Sequence, residues 1–288
     1  MEYTKYHALG NDYIVIHPEE FKAKINQDMI RLICHRNYGI GSDGILLGPL
    51  KSQSCDFGLK IFNPDGSEAE KSGNGLRIFA RSLIDSSLTD KSIFTVETFG
   101  GAVLCEVSAD RRVVKVEMGK VSFDSTIIPV KGSQREVLNE SINIDDHNMK
   151  FCAATVGNPH CVILSEDPSP EIARKYGAKI EISSLFPNRT NVQFMKVLDR
   201  SNIQIEIWER GAGYTLASGS SSTAAAAVAF KLGLCDSNIT VHMPGGKIDI
   251  QFNSNFLATM TGSVTKVCEG KIADEMFEKF SSSIEYLL

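Results

Sequence analysis

The sequence predicts an α+β fold of two pseudo-symmetric lobes, each a mixed or antiparallel sheet wrapped round a central helix. Three observations carry this prediction. Short β-type runs dominate the chain, two strongly apolar helical segments stand out, and each of these segments follows a Ser-Gly pair. Because the two Ser-Gly pairs lie about half the chain apart, the pattern indicates an old duplication that gave two lobes of similar plan.

The strands are predicted from short runs in which apolar and polar residues often alternate, as in half-buried strands. In one such run Val114, Val116 and Met118 fall on the same side of the strand. The runs are DYIVI from Asp12, GLKIF from Gly58, IFTVET from Ile93, VVKVEM from Val113, CVIL from Cys161, NVQFMKV from Asn191, IQIEIW from Ile203 and KIDIQF from Lys247.

The two central helices begin at glycine-rich segments. The first follows Ser72-Gly73-Asn74-Gly75 and carries apolar residues at helical spacing up to Ile84. The second follows Ser218-Gly219 and runs through four alanines to Leu232, where Gly233 suits a helix end. Both segments are too apolar to lie on the protein surface, so each helix is expected at the centre of a lobe.

The remaining helices and the lobe boundaries complete the predicted plan. Residues 26–35 and 170–176 are helix candidates, and residues 272–288 have an amphipathic pattern expected to pack on the fold or form a dimer. We predict an N-terminal lobe of residues 1–118, completed by about 264–288, and a C-terminal lobe of residues 119–263.

Composition excludes several classes of function. The net charge of −5 argues against a nucleic-acid partner, and no run approaches the ~20 apolar residues of a membrane span. The N-terminal segment lacks the order of a secretion signal, so a cytoplasmic protein is expected. The seven cysteines are scattered without a CxxC pair, which predicts neither a disulfide framework nor a zinc site.

The helix starts are the first candidate for chemistry. The first turn of a helix has unpaired backbone N–H groups and partial positive charge, and glycine permits close approach of a ligand. Two opposed starts could hold one carboxylate of a small amino acid and stabilise the charge that develops when its α-hydrogen is removed. Ser72 and Ser218 could equally be ordinary helix N-caps.

Four polar clusters are the second candidate. Asn11 lies in LGND, NPDGSE follows a strand, GNPH lies between two strands, and WERGAG leads to the second central helix. Asn-Pro and Asp-Gly are common turn formers, so each cluster taken alone is explained by a turn.

In combination these motifs resemble one family. Asn11, NPDGSE, SGNG, GNPH, Asn191, ERGAG and ASGS occur in the order and spacing of diaminopimelate epimerases, from Met1 to about Lys271. The resemblance implies a two-lobed isomerase that converts LL-diaminopimelate to the meso form without pyridoxal phosphate or metal. It also implies a homodimer.

The resemblance assigns substrate contacts to two groups of residues. The non-reacting end of the substrate is expected to contact asparagine amides and a Glu-Arg pair, in which the planar fork of arginine suits a carboxylate. These residues are Asn11, Asn63, Asn158, Asn191, Glu209 and Arg210. The reacting carboxylate is expected at the backbone N–H groups around Gly73, Asn74, Gly219 and Ser220.

The chain departs from the family at the acid–base positions. The family uses one cysteine at each helix start, whereas Ser72 and Ser218 stand there in this sequence. An alcohol has a pKa well above that of a thiol and normally needs an adjacent base. His160 is the first candidate for that base and Glu209 the second, although His160 could merely orient its loop. The two serine hydroxyls are expected to face each other across a narrow pocket.

Three functions remain open at this point. The first is an isomerase acting on diaminopimelate or a close diamino acid, with Ser72 and Ser218 as the acid–base pair. The second is a non-catalytic protein that binds an amino acid on the same fold. The third is a related enzyme in which His160 or Glu209 drives an elimination or a double-bond shift.

Overall fold

The chain forms two compact units, each with its own strands and its own core. The computed structural model describes residues 1–21, 25–145 and 147–278. The first unit comprises Met1–Val114 with the segment from Ser263 onward, and the second comprises Lys115–Gly262. The predicted boundary near Gly119 falls inside strand β8, Val113–Lys120, which runs across this division. The predicted α+β class is confirmed.

The first unit contains short strands, two main helices and a short 3-10 turn at Pro18–Glu20. Its elements are β1 Glu2–Ala8, β2 Asn11–Ile16, α1 Gln27–Cys34, β3 Ile45–Leu50, β4 Phe57–Phe62, β5 Glu68–Ala69, α2 Gly73–Asp85, β6 Ile93–Thr98, β7 Gly101–Val107, β18 Thr265–Lys271 and α5 Glu275–Glu278.

The second unit follows the same plan of strands around two helices. Its elements are β9 Glu140–Ile144, β10 His147–Thr155, β11 Pro159–Leu164, α3 Pro170–Glu181, β12 Asn191–Asp199, β13 Asn202–Glu209, β14 Gly213–Thr215, α4 Gly219–Lys231, β15 Asn238–Met243, β16 Gly246–Phe252 and β17 Leu257–Ser263.

The order of strand pairing repeats between the two units. In the first, β1–β2 is antiparallel, β2–β3 parallel, β3–β4 antiparallel, β4–β6 parallel and β6–β7 antiparallel. In the second, β10–β11, β11–β12, β12–β13, β13–β15 and β15–β16 alternate in the same way. The repeated pairing agrees with the duplication that the spacing of the Ser-Gly pairs predicts.

The two central helices are buried, as their composition predicts. In α2 the apolar residues from Leu76 to Leu83 are fully enclosed, and in α4 the run from Ala224 to Ala229 has no exposed surface. Helix α4 ends at Lys231, and Gly233 adopts a positive φ of 69° that favours glycine just past a helix end. Burial on all sides fixes the N-termini of both helices relative to their own strands.

The other predicted helices also form. Asn26 caps α1 and Ser169 caps α3, and each side chain accepts a backbone N–H three residues further on. Helix α3 extends beyond the predicted end, to Glu181. The predicted amphipathic segment 272–288 contains the short α5, and its part from residue 279 lies outside the described residues. No helix of the described ranges is long and apolar enough to cross a membrane.

Candidate active site

Ser72 is the N-cap of α2. Its backbone is extended, and its Oγ accepts a hydrogen bond from the backbone N–H of Gly75 at 3.0 Å. A Cβ added at Gly75 would lie 3.3 Å from Ser72 Oγ and 3.1 Å from a methyl group of Leu46. Glycine at position 75 therefore allows the half-buried hydroxyl to lie over the first turn of the helix.

Tyr13 is a neighbour of Ser72 that sequence reasoning missed. Its phenol oxygen lies 3.2 Å from Ser72 Oγ, and its side chain is buried. The ring packs against the backbone at Gly44, where an added Cβ would lie 2.6 Å from Tyr13 Cε1. In the sequence Tyr13 reads as part of the apolar strand run DYIVI, so only the pairing of β2 with its neighbours could have revealed the contact.

A chain of side-chain hydrogen bonds runs from the buried helix to the surface of the first unit. Arg77 donates to Asn74 Oδ1 at 2.8 Å, and Asn74 Nδ2 donates to Asn11 Oδ1 at 2.9 Å. Asn11 Nδ2 then donates to a carboxylate oxygen of Asp43 at 3.0 Å. The structure thus brings the predicted residues Asn11 and Asn74 into direct contact and adds two flanking partners that were not predicted, Arg77 and Asp43.

The chain of amides has one possible direction. Arginine carries only donors and an ionised carboxylate only acceptors, so Arg77 and Asp43 fix which way each intervening amide points. Arg77 has no exposed surface, burial lowers its pKa to about 9, and its Nε and one terminal nitrogen have no partner among the described residues. Such an incompletely satisfied buried cation is costly, which suggests that it is retained for a function.

Asn63 lies in the turn that its motif predicts. Its Nδ2 donates to Ser67 Oγ at 3.0 Å, and Ser67 Oγ in turn donates to Asp65 Oδ1. Gly66 has a φ of 86°, a conformation that glycine adopts without strain. The turn therefore holds the Asn63 side chain in a defined orientation.

Ser218 caps α4 as Ser72 caps α2, and the side chains that hydrogen bond in its first helical turn are uncharged. Its Oγ is buried and lies 3.4 Å from the backbone nitrogen of Ser221, a long hydrogen bond. Ser222 Oγ donates to the Ser218 carbonyl oxygen at 2.8 Å, and Gln193 Nε2 donates to Ser221 Oγ at 2.9 Å. Among the described residues, no side chain hydrogen bonds with Ser218 Oγ.

His160 lies in the interior of the second unit. Its ring has no exposed surface, its Nε2 lies 2.9 Å from Asn158 Oδ1, and burial lowers its pKa to about 3. Asn158 also points its Nδ2 toward Ser220 Oγ at 3.5 Å. A buried neutral imidazole with so low a pKa is a weak base. The geometry therefore favours the interpretation that His160 orients the GNPH loop.

Asn191 joins the GNPH loop to the ERGAG turn. Its Nδ2 donates to the carbonyl oxygen of Pro159 at 2.9 Å, and its Oδ1 accepts from the backbone N–H of Arg210 at 3.0 Å. Glu209 is the half-buried last residue of β13, and the guanidinium of Arg210 is exposed and donates to the carbonyl oxygen of Asn188. Asn191 therefore fixes the backbone on which this predicted pair lies.

Glu181 is another residue that sequence reasoning missed. This buried carboxylate accepts from the indole Nε1 of Trp208 at 2.7 Å and from the backbone N–H of Gly211 at 2.9 Å. Arg189 also donates to it. Glu181 ends α3, and nothing in its local sequence distinguishes it from a surface residue.

The first turns of α2 and α4 present groups suited to an anion. Ser72 accepts the N–H of Gly75 and Ser218 that of Ser221, whereas the preceding N–H groups of a helix lack intrahelical acceptors. These are the N–H groups of Gly73 and Asn74 in α2 and of Gly219 and Ser220 in α4. Each start thus combines backbone donors with a hydroxyl. That the two hydroxyls face each other stays a prediction.

Across the described ranges, no group of three histidine, cysteine or acidic side chains could hold a metal ion.

Comparison with known structures supports the fold. The chain is similar to a hydroxyproline epimerase from Agrobacterium vitis with bound trans-4-hydroxy-L-proline, with a TM-score of 0.67 and 14% identity over 94% of this chain and 90% of that one. It is also similar to a methylitaconate-delta-isomerase, with a TM-score of 0.65 and 10% identity over 94% and 95% of the two chains. At these identities the likeness shows the fold alone.

Comparison of sequences identifies the family. The family model described as diaminopimelate epimerase matches residues 3–124 and 152–267. A relative named diaminopimelate epimerase 2, from Nostoc sp., is 62% identical over 277 residues that cover 96% of this chain and 97% of the relative. A diaminopimelate epimerase from Caldanaerobacter subterraneus is 38% identical over 94% of this chain and 99% of its own length. The chain therefore belongs to the diaminopimelate epimerase family.

Proposed function

We propose that this chain is an amino-acid epimerase that interconverts LL- and meso-diaminopimelate by proton transfer at the α-carbon. The observation that carries the proposal is its 62% identity, over nearly the whole chain, to a relative named diaminopimelate epimerase 2. The hydroxyl and backbone N–H groups at the starts of α2 and α4 support it, because this chemistry needs acid–base groups beside carboxylate-binding groups.

The proposed mechanism assigns a task to each group of residues. Backbone N–H groups around Gly73, Asn74, Gly219 and Ser220 bind the reacting carboxylate. Their donors stabilise the negative charge that the carboxylate gains as the α-proton leaves. One of Ser72 and Ser218 removes the α-proton, and the other returns a proton to the opposite face of the α-carbon.

The distal end of the substrate is assigned to the amides and to the Glu209–Arg210 pair. Asn11, Asn63, Asn158 and Asn191 offer amide groups, and the exposed guanidinium of Arg210 suits a carboxylate. Hydrogen bonds to fixed partners hold three of these amides in defined orientations: Asn11 on Asp43, Asn158 on His160 and Asn191 on Pro159. Orientation of this kind favours one diamino acid over analogues that lack the distal groups.

The family membership supports further expectations about the proposed enzyme. The reaction uses neither pyridoxal phosphate nor metal, because the carboxylate itself delocalises the charge. Production of meso-diaminopimelate would give the chain a part in lysine biosynthesis, and we expect it to work in the cytoplasm. We also expect a homodimer, which sedimentation at several protein concentrations would test.

Isotope exchange tests the proposed function. Incubated in D₂O, the protein is expected to incorporate deuterium at the α-carbon of both LL- and meso-diaminopimelate and to equilibrate the two isomers, as measured by NMR and chiral chromatography. Calorimetric binding of diaminopimelate without exchange would instead identify a non-catalytic binding protein. Loss of the substrate amine, or a shifted double bond, would identify altered chemistry. The buried, neutral His160 argues against an elimination or double-bond shift in which this histidine is the base.

A further inference from the structure

The chemistry of Ser72 needs a partner that the proposed function does not name. An aliphatic alcohol is too weak an acid to yield useful alkoxide near neutral pH, and acid–base groups work best with a pKa near the operating pH. Serine therefore acts through an adjacent group that takes or supplies its proton. In the described part of the chain, the side chain whose hydrogen bond reaches Ser72 Oγ is Tyr13.

We propose that Tyr13 is a positioning residue for this reaction, and that its phenol relays a proton to and from the α-carbon through the hydroxyl of Ser72. The inference rests on the proposed epimerase function and adds a residue to it. The carrying observation is the separation of 3.2 Å between the Tyr13 phenol oxygen and Ser72 Oγ. Both residues belong to the first unit.

The hydrogen-bond capacity of Ser72 fits the relay. A hydroxyl has one hydrogen and two acceptor sites, and one acceptor site of Ser72 Oγ takes the N–H of Gly75 at 3.0 Å. One hydrogen and one acceptor site remain. Either the phenol donates to Ser72, which leaves the serine hydrogen for the substrate, or a phenolate accepts the serine hydrogen, which leaves an acceptor site for the α-proton.

The relay balances in both directions. When Ser72 acts as the base, the α-C–H bond breaks and its proton forms a new O–H bond on Ser72. The original Ser72 O–H bond breaks, its proton moves to the Tyr13 phenolate, and the electron pair of the C–H bond stays on the α-carbon and its carboxylate. When Ser72 acts as the acid, each bond change reverses and Tyr13 ends as phenolate.

The relay replaces the acidity of an alcohol with that of a phenol. Tyrosine has an ordinary pKa of about 10, only about 1.5 units above the 8.5 of a cysteine thiol. The phenol is therefore a stronger acid than the aliphatic alcohol with which it is paired. The packing of the Tyr13 ring against Gly44 and the pairing of β2 with β1 and β3 hold the phenol in place.

A test in two backgrounds separates a relay from a purely structural role. We expect Tyr13→Phe to lower α-deuterium exchange at least about tenfold in the otherwise unchanged protein. In a Ser72→Cys background a thiol needs no relay, so Tyr13→Phe should there cost less than about threefold, a coupling that a double-mutant cycle measures. An equal loss in both backgrounds would overturn the relay, as would an unchanged rate in the first.

Two controls keep the test decisive. Thermal unfolding and circular dichroism should show that Tyr13→Phe folds. Incorporation of 3-fluorotyrosine should alter the exchange rate, because fluorine changes the acidity of the phenol but hardly its shape. Absence of exchange in the unchanged protein and in Ser72→Cys/Ser218→Cys would refute the proposed function instead. In that case the ¹³Cζ resonance of Tyr13 still decides on the contact: Ser72→Ala must shift it, and an unmoved resonance would overturn the hydrogen bond itself.

Discussion

Tyr13 and His160 occupy corresponding places in the two units but have different partners. Tyr13 lies two residues after Asn11 on β2, and His160 lies two residues after Asn158 on β11. Each of these strands pairs antiparallel with the strand before it and parallel with the next one in its unit. The phenol of Tyr13 contacts the capping serine of its own unit, whereas the imidazole of His160 contacts Asn158.

The comparison shows that the two units repeat the capping serines but surround them with different groups. Around the first helix start the network is ionic: Arg36 and Lys5 pair with Asp12, and Arg36 also pairs with Asp43. Around the second start the described partners are hydroxyls, amides and a neutral imidazole. An acid–base pair in such different surroundings need not be symmetric. The hydroxyls of Ser72 and Ser218 are therefore expected to differ in acid–base strength.

The serines themselves give the largest expected effect. Ser72→Ala or Ser218→Ala removes a general acid–base group, so α-deuterium exchange should fall by about 10²–10⁴-fold. Each substitution also removes an N-cap and should lower the free energy of unfolding by about 1 kcal/mol, measured by denaturant titration.

Ser169→Ala is the matched control for these substitutions. Ser169 caps α3 with the same type of hydrogen bond, to the backbone N–H of Ile172, but has no assigned part in the reaction. It should lose similar stability and keep its exchange rate. A similar loss of exchange in Ser169→Ala would show that the effect at positions 72 and 218 is one of folding.

Arg77 gives the next largest expected effect and tests the ionic side of the comparison. Arg77→Met removes the donor that fixes the amide of Asn74, and misplacement of such groups costs up to about 10²-fold in rate. Stability should stay equal or rise, because replacing an incompletely paired buried ion by an apolar side chain is often neutral or stabilising. Exchange kinetics and denaturant unfolding of the same variant measure both quantities.

A lower exchange rate together with an equal or higher free energy of unfolding in Arg77→Met would identify Arg77 as a residue that serves the reaction and not the fold. Arg77→Lys is the conservative comparison, since a lysine ammonium retains a donor for Asn74 without the planar fork. It should recover part of the exchange rate. A variant Arg77→Met that unfolds more easily and exchanges normally would show instead that the guanidinium supports only the fold.

The sequence predicts the elements of the fold well because their signals are local. Helices α2 and α4 carry runs or helical repeats of apolar residues and begin at Ser-Gly. A period of two marks strand β8, where Val114, Val116 and Met118 are buried. Strands such as β5 and β14 are too short for such a pattern, and β18 is almost wholly exposed, so alternation does not reveal them.

The candidate site is predicted only as far as its motifs extend. Asn11 and Asn74 are identified from their motifs, but the contacts of Tyr13, Asp43 and Gln193 come from other parts of the fold. Such contacts join residues distant in sequence, for example Asn11 with Asp43 and Gln193 with Ser221. His160 shows the converse, because its motif suggests a base while its full burial, which only the fold determines, makes the ring a poor one.

His160 gives the smallest expected effect on rate and tests the neutral side of the comparison. Loss of a general base would cost about 10²–10⁴-fold, whereas His160→Gln, which keeps a hydrogen-bonding group near Asn158, should change exchange by less than about tenfold.

The pKa of His160 is lowered from 6.5 to about 3 in the folded protein, so the unfolded chain binds the extra proton between these values. The stability that neutral His160 contributes is therefore full above pH 6.5 and is lost as the pH falls toward 3, by up to about 1.4 kcal/mol per pH unit. Denaturant unfolding at about pH 7.5 and about pH 4.5 should show a steeper acid loss in the unchanged protein than in His160→Gln. If the two slopes agree and exchange in His160→Gln falls a hundredfold or more, His160 serves Ser218 as a base. In that case the two helix starts resemble each other more than their hydrogen bonds indicate.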